Sequence, residues 1–110
     1  MGLSSLSKLQ KPMLETLGFD NTSTETLSRY GLALIIEVGE FLNETPWKLW
    51  KKGGPEFYDL DRIKEEFVDL ISFLGSWVIF MNMMGISTED IMVAYREKLE
   101  QNNTRFGVTE

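Results

Sequence analysis

Residues 70–88, LISFLGSWVIFMNMMGIST, carry no charged side chain. That constrains the fold more than any other feature, because a helix apolar nearly all round has to be covered by other helices, by lipid or by a second chain. The membrane is the poorer cover. Ser72, Ser76, Asn82, Gly75 and Gly85 dilute the run, Asp69 sits at its edge, and no cluster of positive charge flanks one side to orient it. We therefore read a helix buried between neighbours, and in a chain of 110 residues, with room for one core, that also predicts a subunit interface, as a homodimer or a dimer of dimers.

The remaining chain reads as helices around this one. Leu3, Leu6, Leu9, Met13, Leu14 and Leu17 recur at three- and four-residue steps as far as Gly18, which predicts a first helix with a kink at Pro12. The polar stretch DNTSTET forms a loop, and Ser23 or Thr24 caps a second helix, LSRYGLALIIEVGEFLN, that Pro46 closes. GGP at 53–55 breaks the chain again. Asp59 or Asp61 caps the third helix, which ends near Gly85; Ser87 or Thr88, with Glu89 and Asp90 behind it, starts a fourth that stops before Gly107. With no strand pattern, repeat or low-complexity tract, the expected fold is an all-α four-helix bundle forming a single domain over residues 1–110.

Composition removes several chemistries. The chain has no cysteine and no histidine, so zinc fingers, disulfide frameworks, thiol nucleophiles and serine–histidine–acid triads are all excluded, and any metal has to be held by oxygen. Oxygen-only sites take hard cations such as magnesium, manganese or calcium. A net charge of −6 argues against binding nucleic-acid polymers by neutralising phosphates. MGLSSLSKLQ lacks the pattern of a signal peptide, and Leu6 stands where a myristoylation signal has Ser or Thr, which predicts a cytoplasmic protein that is not bound to a membrane. The sequons at Asn21, Asn43 and Asn102 are then chance matches.

Four acids stand out by their surroundings. From Tyr30 to Leu42 the only charged residues are Glu37 and Glu40, and from Phe67 to Thr88 the only one is Asp69, which follows Glu66 by three. Residues three apart on a helix point within about 60° of each other, so each pair shares a face. A solvated stripe is the ordinary reading of such pairs, and like charges at this spacing cost only about 0.2–0.5 kcal/mol when exposed. These acids, however, are islands in core-like sequence. Carboxylates gathered beside apolar surface have to be protonated or compensated, and a divalent cation compensates them.

The ordered set E-x-x-E at 37–40, PWKLWKK at 46–52 and E-x-x-D at 66–69 resembles the all-α nucleoside triphosphate pyrophosphohydrolases, the superfamily of MazG and the dimeric dUTPases. IIEVGEFLNETPWKLWKK is most similar to the dimeric dUTPase branch, and Tyr95, Lys98, Asn102 and Arg105 fit that branch's Y-x-x-K…N-x-x-R spacing, so the resemblance spans residues 32–106. Leu99 and Phe106 depart from it, standing where the branch usually has Asn and Gln. The interval from Asp69 to Tyr95 lacks the inserted helices of larger members, as in a short phage or bacterial form.

The resemblance implies a metal-dependent enzyme that converts dUTP to dUMP and pyrophosphate, with dCTP or MazG-like house-cleaning substrates as the alternative. It implies magnesium, or manganese, held by Glu37, Glu40, Glu66 and Asp69, with Glu37 or Glu40 orienting or deprotonating the attacking water. Trp47 or Trp50 would pack on base or sugar while Lys48 or Lys51 meets phosphate; equally, the segment is an amphipathic turn laying its indoles on the bundle. Tyr95, Lys98, Asn102 and Arg105 make one stripe on the fourth helix, either an exposed face or a row of donors for sugar and phosphate oxygens. By analogy with the family's N-terminal glutamine, Gln10 contacts the base. The reading from another class is a noncatalytic helical module that dimerises through the third helix and binds a partner with its Trp/Lys segment.

Overall fold

The computed structural model describes residues 2–45 and 59–108. They form four α-helices: α1, Leu3–Leu17; α2, Thr24–Asn43; α3, Leu60–Met83; and α4, Thr88–Arg105. Among the described residues there is no strand, and the architecture is the expected all-α one.

The sequence signals that set the helix ends do so through hydrogen bonds. Ser23 Oγ accepts from the Thr26 backbone N–H at 3.2 Å, and Asp59 Oδ1 accepts from that of Arg62 at 3.2 Å. Ser87 and Asp90 close a reciprocal capping box: each side chain accepts from the other's backbone N–H, both at 3.0 Å. α1 stays one helix across Pro12 and ends at Gly18, whose φ of 75° is the left-handed conformation that favours glycine. α2 stops at Asn43, where its expected sequence ended; Pro46, expected to close it, lies outside the described residues.

α3 is the axis of the fold. It packs most extensively against α1, then against α2, and touches α4. Its buried residues are Gly75, Ser76, Val78, Ile79 and Phe80. The core forms where they meet Leu14 from α1 and Tyr30 from α2, and Tyr30 is its centre, with ring centroids 5.1 Å from Phe80, 5.3 Å from Phe73 and 5.6 Å from Phe19. Gly75 is where α1 comes closest: a Cβ there would lie 3.1 Å from the Leu6 carbonyl oxygen and 3.1 Å from Gln10 Cγ.

α3 is long and apolar enough to cross a membrane by length and composition, yet here it lies between α1 and α2. The cover is incomplete, since only 22% of its most apolar window is buried. α4 buries none of its residues.

Candidate metal centre

Two aromatic pairs and one ion pair set α2 against α3. Tyr30 meets Phe73, Phe41 meets Phe67 with centroids 5.7 Å apart, and Glu44 at the end of α2 binds Arg62 in the first turn of α3 at 3.1 Å. Low numbers on one helix pair with high numbers on the other, so the helices run antiparallel, and residues 37–40 fall opposite 66–69. The two acid pairs of the sequence therefore face one another.

Carboxylate oxygens of Glu37, Glu40 and Glu66 lie within 4.8 Å of one another. Oε2 of Glu37 and Oε2 of Glu66 are buried and have no hydrogen-bond partner among the described residues. Asp69 is exposed and stands outside this triple, but its charge reaches it. Burial raises the pKa of Glu37 above the ordinary carboxylate value, and the charges of Glu40, Asp69 and Glu66 raise it further. Glu66 is raised by burial and by Glu40, Asp69 and Glu44, with Arg62 opposing. Among the described residues the site concentrates negative charge that Arg62 alone opposes.

That arrangement has a physical use. Three convergent carboxylates, two of them with unsatisfied buried oxygens, fit a hard divalent cation of the magnesium or manganese type, which takes oxygen ligands and leaves positions for water and phosphate. The donor set agrees with the absence of cysteine and histidine from the chain.

Beside the acids lies a recess of about 520 Å³ between α1, α2 and α3, lined by Glu37 and Asp69 and by Gln10, Phe19, Tyr30 and Phe73 among others. Gln10 Oε1 is buried with no hydrogen-bond partner among the described residues. The structure thus brings Gln10 to the same opening as Glu37 and Asp69. Sequence reasoning passed over Tyr30, Phe73 and Glu44; the last was signalled by its spacing, four residues after Glu40 and so on the same helical face.

The stripe on α4 is placed differently. Tyr95 lines a separate groove with Leu3, Leu6, Ile91 and Met92, between α1 and α4. α4 packs on α3 and makes no comparable contact with α2, so Lys98, Asn102 and Arg105 are carried on a helix apart from the acid pairs. Trp47, Lys48, Trp50 and Lys51 lie outside the described residues.

A family model described as dUTPase matches residues 2–84. That span contains α1, α2 and α3, with both acid pairs and Gln10, and ends before α4. No match to the chain was found among curated proteins or among solved structures.

Proposed function

Since this chain belongs to the dUTPase family, and is a nucleotide pyrophosphohydrolase of the dimeric dUTPase-like, all-α kind, we propose that it converts dUTP to dUMP and pyrophosphate with magnesium at the Glu37, Glu40 and Glu66 cluster. The observation that carries this reading is the convergence of three carboxylates from two helices within 4.8 Å beside a recess of nucleoside size.

When bound, the cation supplies positive charge to the phosphate oxygens and lowers the pKa of water. Manganese fits the same oxygen donors. Glu37, Glu40 and Glu66 would hold it, and Asp69 would add charge at the edge of the cluster. Glu40, the exposed member of the triple, or Glu37 beside it orients the attacking water and accepts its proton. Tyr30, Phe73 and Phe19 give the recess apolar walls on which a pyrimidine can pack, and Gln10 Oε1 is an acceptor for an N–H of the base. Lys48 or Lys51, with Trp47 or Trp50, would cover phosphate and base from the segment after α2, and Tyr95, Lys98, Asn102 and Arg105 would add polar contacts only by way of α4, which packs apart from the acid pairs.

The test is a panel of nucleotides with magnesium, assayed for pyrophosphate and monophosphate. dUTP should be turned over in preference to dCTP, dTTP and the ribonucleotides, and Glu66→Gln should lower kcat by at least about a hundredfold with helicity retained. Preference for dCTP or for a modified nucleotide would replace dUTP as substrate, and full activity in Glu66→Gln would remove the cluster from the chemistry.

A further inference from the structure

We infer that Arg62 receives the pyrophosphate half of the substrate, and that Glu44 holds its guanidinium in place until the substrate arrives. The inference rests on the proposed reading of the acid cluster and its recess, and adds a residue to it. Tyr30, Glu37, Glu40 and Glu44 lie on one face of α2, and Phe73, Asp69, Glu66 and Arg62 on one face of α3. Each series keeps within an arc of about 80°. Because the helices run antiparallel, the two series face each other as a trough with three sections in a row: the Tyr30–Phe73 aromatic pair, the acids, and the Arg62–Glu44 ion pair at 3.1 Å.

That order matches the order of parts in a nucleoside triphosphate. The aromatic recess takes the base, the acids take a cation with the phosphate it holds, and the phosphate chain continues away from the recess. Glu44 lies beyond Glu37 by about 10 Å along α2, and Arg62 beyond Glu66 by about 6 Å along α3. A triphosphate anchored at the acids spans the shorter step, and the arginine side chain reaches back over part of it. Without Arg62 the terminal phosphates would meet Glu44, one of the charges that crowd Glu66. Arg62 turns that end of the trough from repulsive to attractive. Residues 37–44 of α2 and 62–69 of α3 carry two cations between them, Arg62 and Lys64. Lys64 stands about 160° around α3 from Arg62 and pairs with Asp61 at 3.7 Å, so of the two only Arg62 turns to the trough.

The ion pair suits exchange. The Arg62 side chain is 66% exposed and that of Glu44 only 19%, so the guanidinium is reached from solvent while its carboxylate partner is largely covered. An ion pair with one member in water is held weakly. A guanidinium presents a planar fork of donors that fits two phosphate oxygens as well as it fits a carboxylate, and pyrophosphate carries more charge than Glu44. Without substrate, Arg62 offsets Glu44 and part of the charge on Glu66. With a cation and substrate in place that offset is no longer required, and the guanidinium is free to turn to phosphate.

Calorimetric titration of the full chain in magnesium, with pyrophosphate and separately with dUMP, tests the assignment. Arg62→Met should weaken pyrophosphate by at least about tenfold and dUMP by less than about twofold, since only the former loses a charge-assisted contact. Arg62→Lys should fall between, because lysine keeps the charge and loses the fork. kcat/KM for dUTP should fall in step with pyrophosphate affinity. Lys64→Met removes the same charge from the far side of α3 and should change neither ligand. A clamp that merely joined the two helices would make Arg62→Met and Glu44→Gln behave alike. Exchange sets them apart: Glu44→Gln frees the guanidinium and should tighten pyrophosphate by about threefold or more. Should Arg62→Met fail to fold, Arg62→Lys and Glu44→Gln carry the comparison, since both keep a cation at the site. A wild type that hydrolyses dUTP but whose pyrophosphate affinity is unmoved by Arg62→Met would overturn the assignment and leave the activity standing, as would equal weakening by Arg62→Met and Glu44→Gln. A wild type that neither hydrolyses a nucleotide nor binds pyrophosphate would overturn the activity as well.

Discussion

Replacing Glu37 by Gln should do opposite things to stability with and without magnesium. Glu37, Glu40 and Glu66 bring oxygens within 4.8 Å of one another, and burial together with Glu40 heads the causes that raise the pKa of Glu37. Two unit charges at that separation repel by about 0.9 kcal/mol in bulk water and about 3.5 kcal/mol at an effective dielectric of 20. Because Glu37 is only half-buried, screening holds its share near the lower figure, so the variant should gain about 1 kcal/mol when no cation is present. For a chain of this size that is a rise in Tm of about 4–8 °C. Magnesium reverses the order. At a hundredfold excess over Kd a ligand stabilises the native state by about 2.7 kcal/mol, and a tenfold loss of affinity on removing one carboxylate cuts this to about 1.4 kcal/mol. Melting of both proteins, followed by circular dichroism at pH 7.5 in EDTA and in magnesium, should therefore show the variant ahead without metal and behind in the size of its metal-induced gain. A variant that melts below wild type in EDTA would refute the crowding of charge, and equal gains from magnesium in the two proteins would refute the metal site.

Three further outcomes follow from the same structure. Glu37 and Glu66 titrate above the ordinary value of 4.5, so as pH rises past 4.5 the native cluster holds protons that the unfolded chain has released; in EDTA its contribution to stability is full below that value and is lost as pH rises through the raised values, a slope that magnesium or a Glu37→Gln, Glu66→Gln double variant should flatten in a Tm–pH series. Gln10→Leu removes a buried acceptor that no group among the described residues satisfies, so the melting temperature should hold or rise while KM for dUTP rises about tenfold, as steady-state kinetics will show. Phe80→Ala empties a fully buried site between Tyr30 and Trp77 and should cost about 3–5 kcal/mol in urea unfolding with m unchanged.

Much of the fold could be read because its determinants are local. Ser23, Asp59 and the Ser87–Asp90 box act within one turn of the residues that announce them. The uncharged run after Asp69 told that α3 would be central, since its composition left no other place for it. The acid pairs were legible for the same reason: Glu37 and Glu40 break an apolar helix, so their position says that something compensates them. What escaped depends on how helices meet. Nothing in the spacing of Glu66 and Asp69 tells that Glu66 joins the triple while Asp69 stays outside, because that follows from the crossing of α2 over α3. The placement of the motif on α4 likewise follows from packing, with α4 held against α3 and along α1. The apolar outer face of α2 was hidden in plain composition: Leu32, Ile35 and Ile36 looked like core residues until α3 was seen to occupy the other side.

The missing side chain at Gly75 makes α1 an adjustable wall. Any larger residue there would press on the Leu6 carbonyl and on Gln10, and the easiest relief is a small outward slide of α1 that takes Gln10 with it. The width of the recess beside the acids is thus governed by a position outside its lining, and one change behind the glutamine would reshape the recess while every lining residue stays the same.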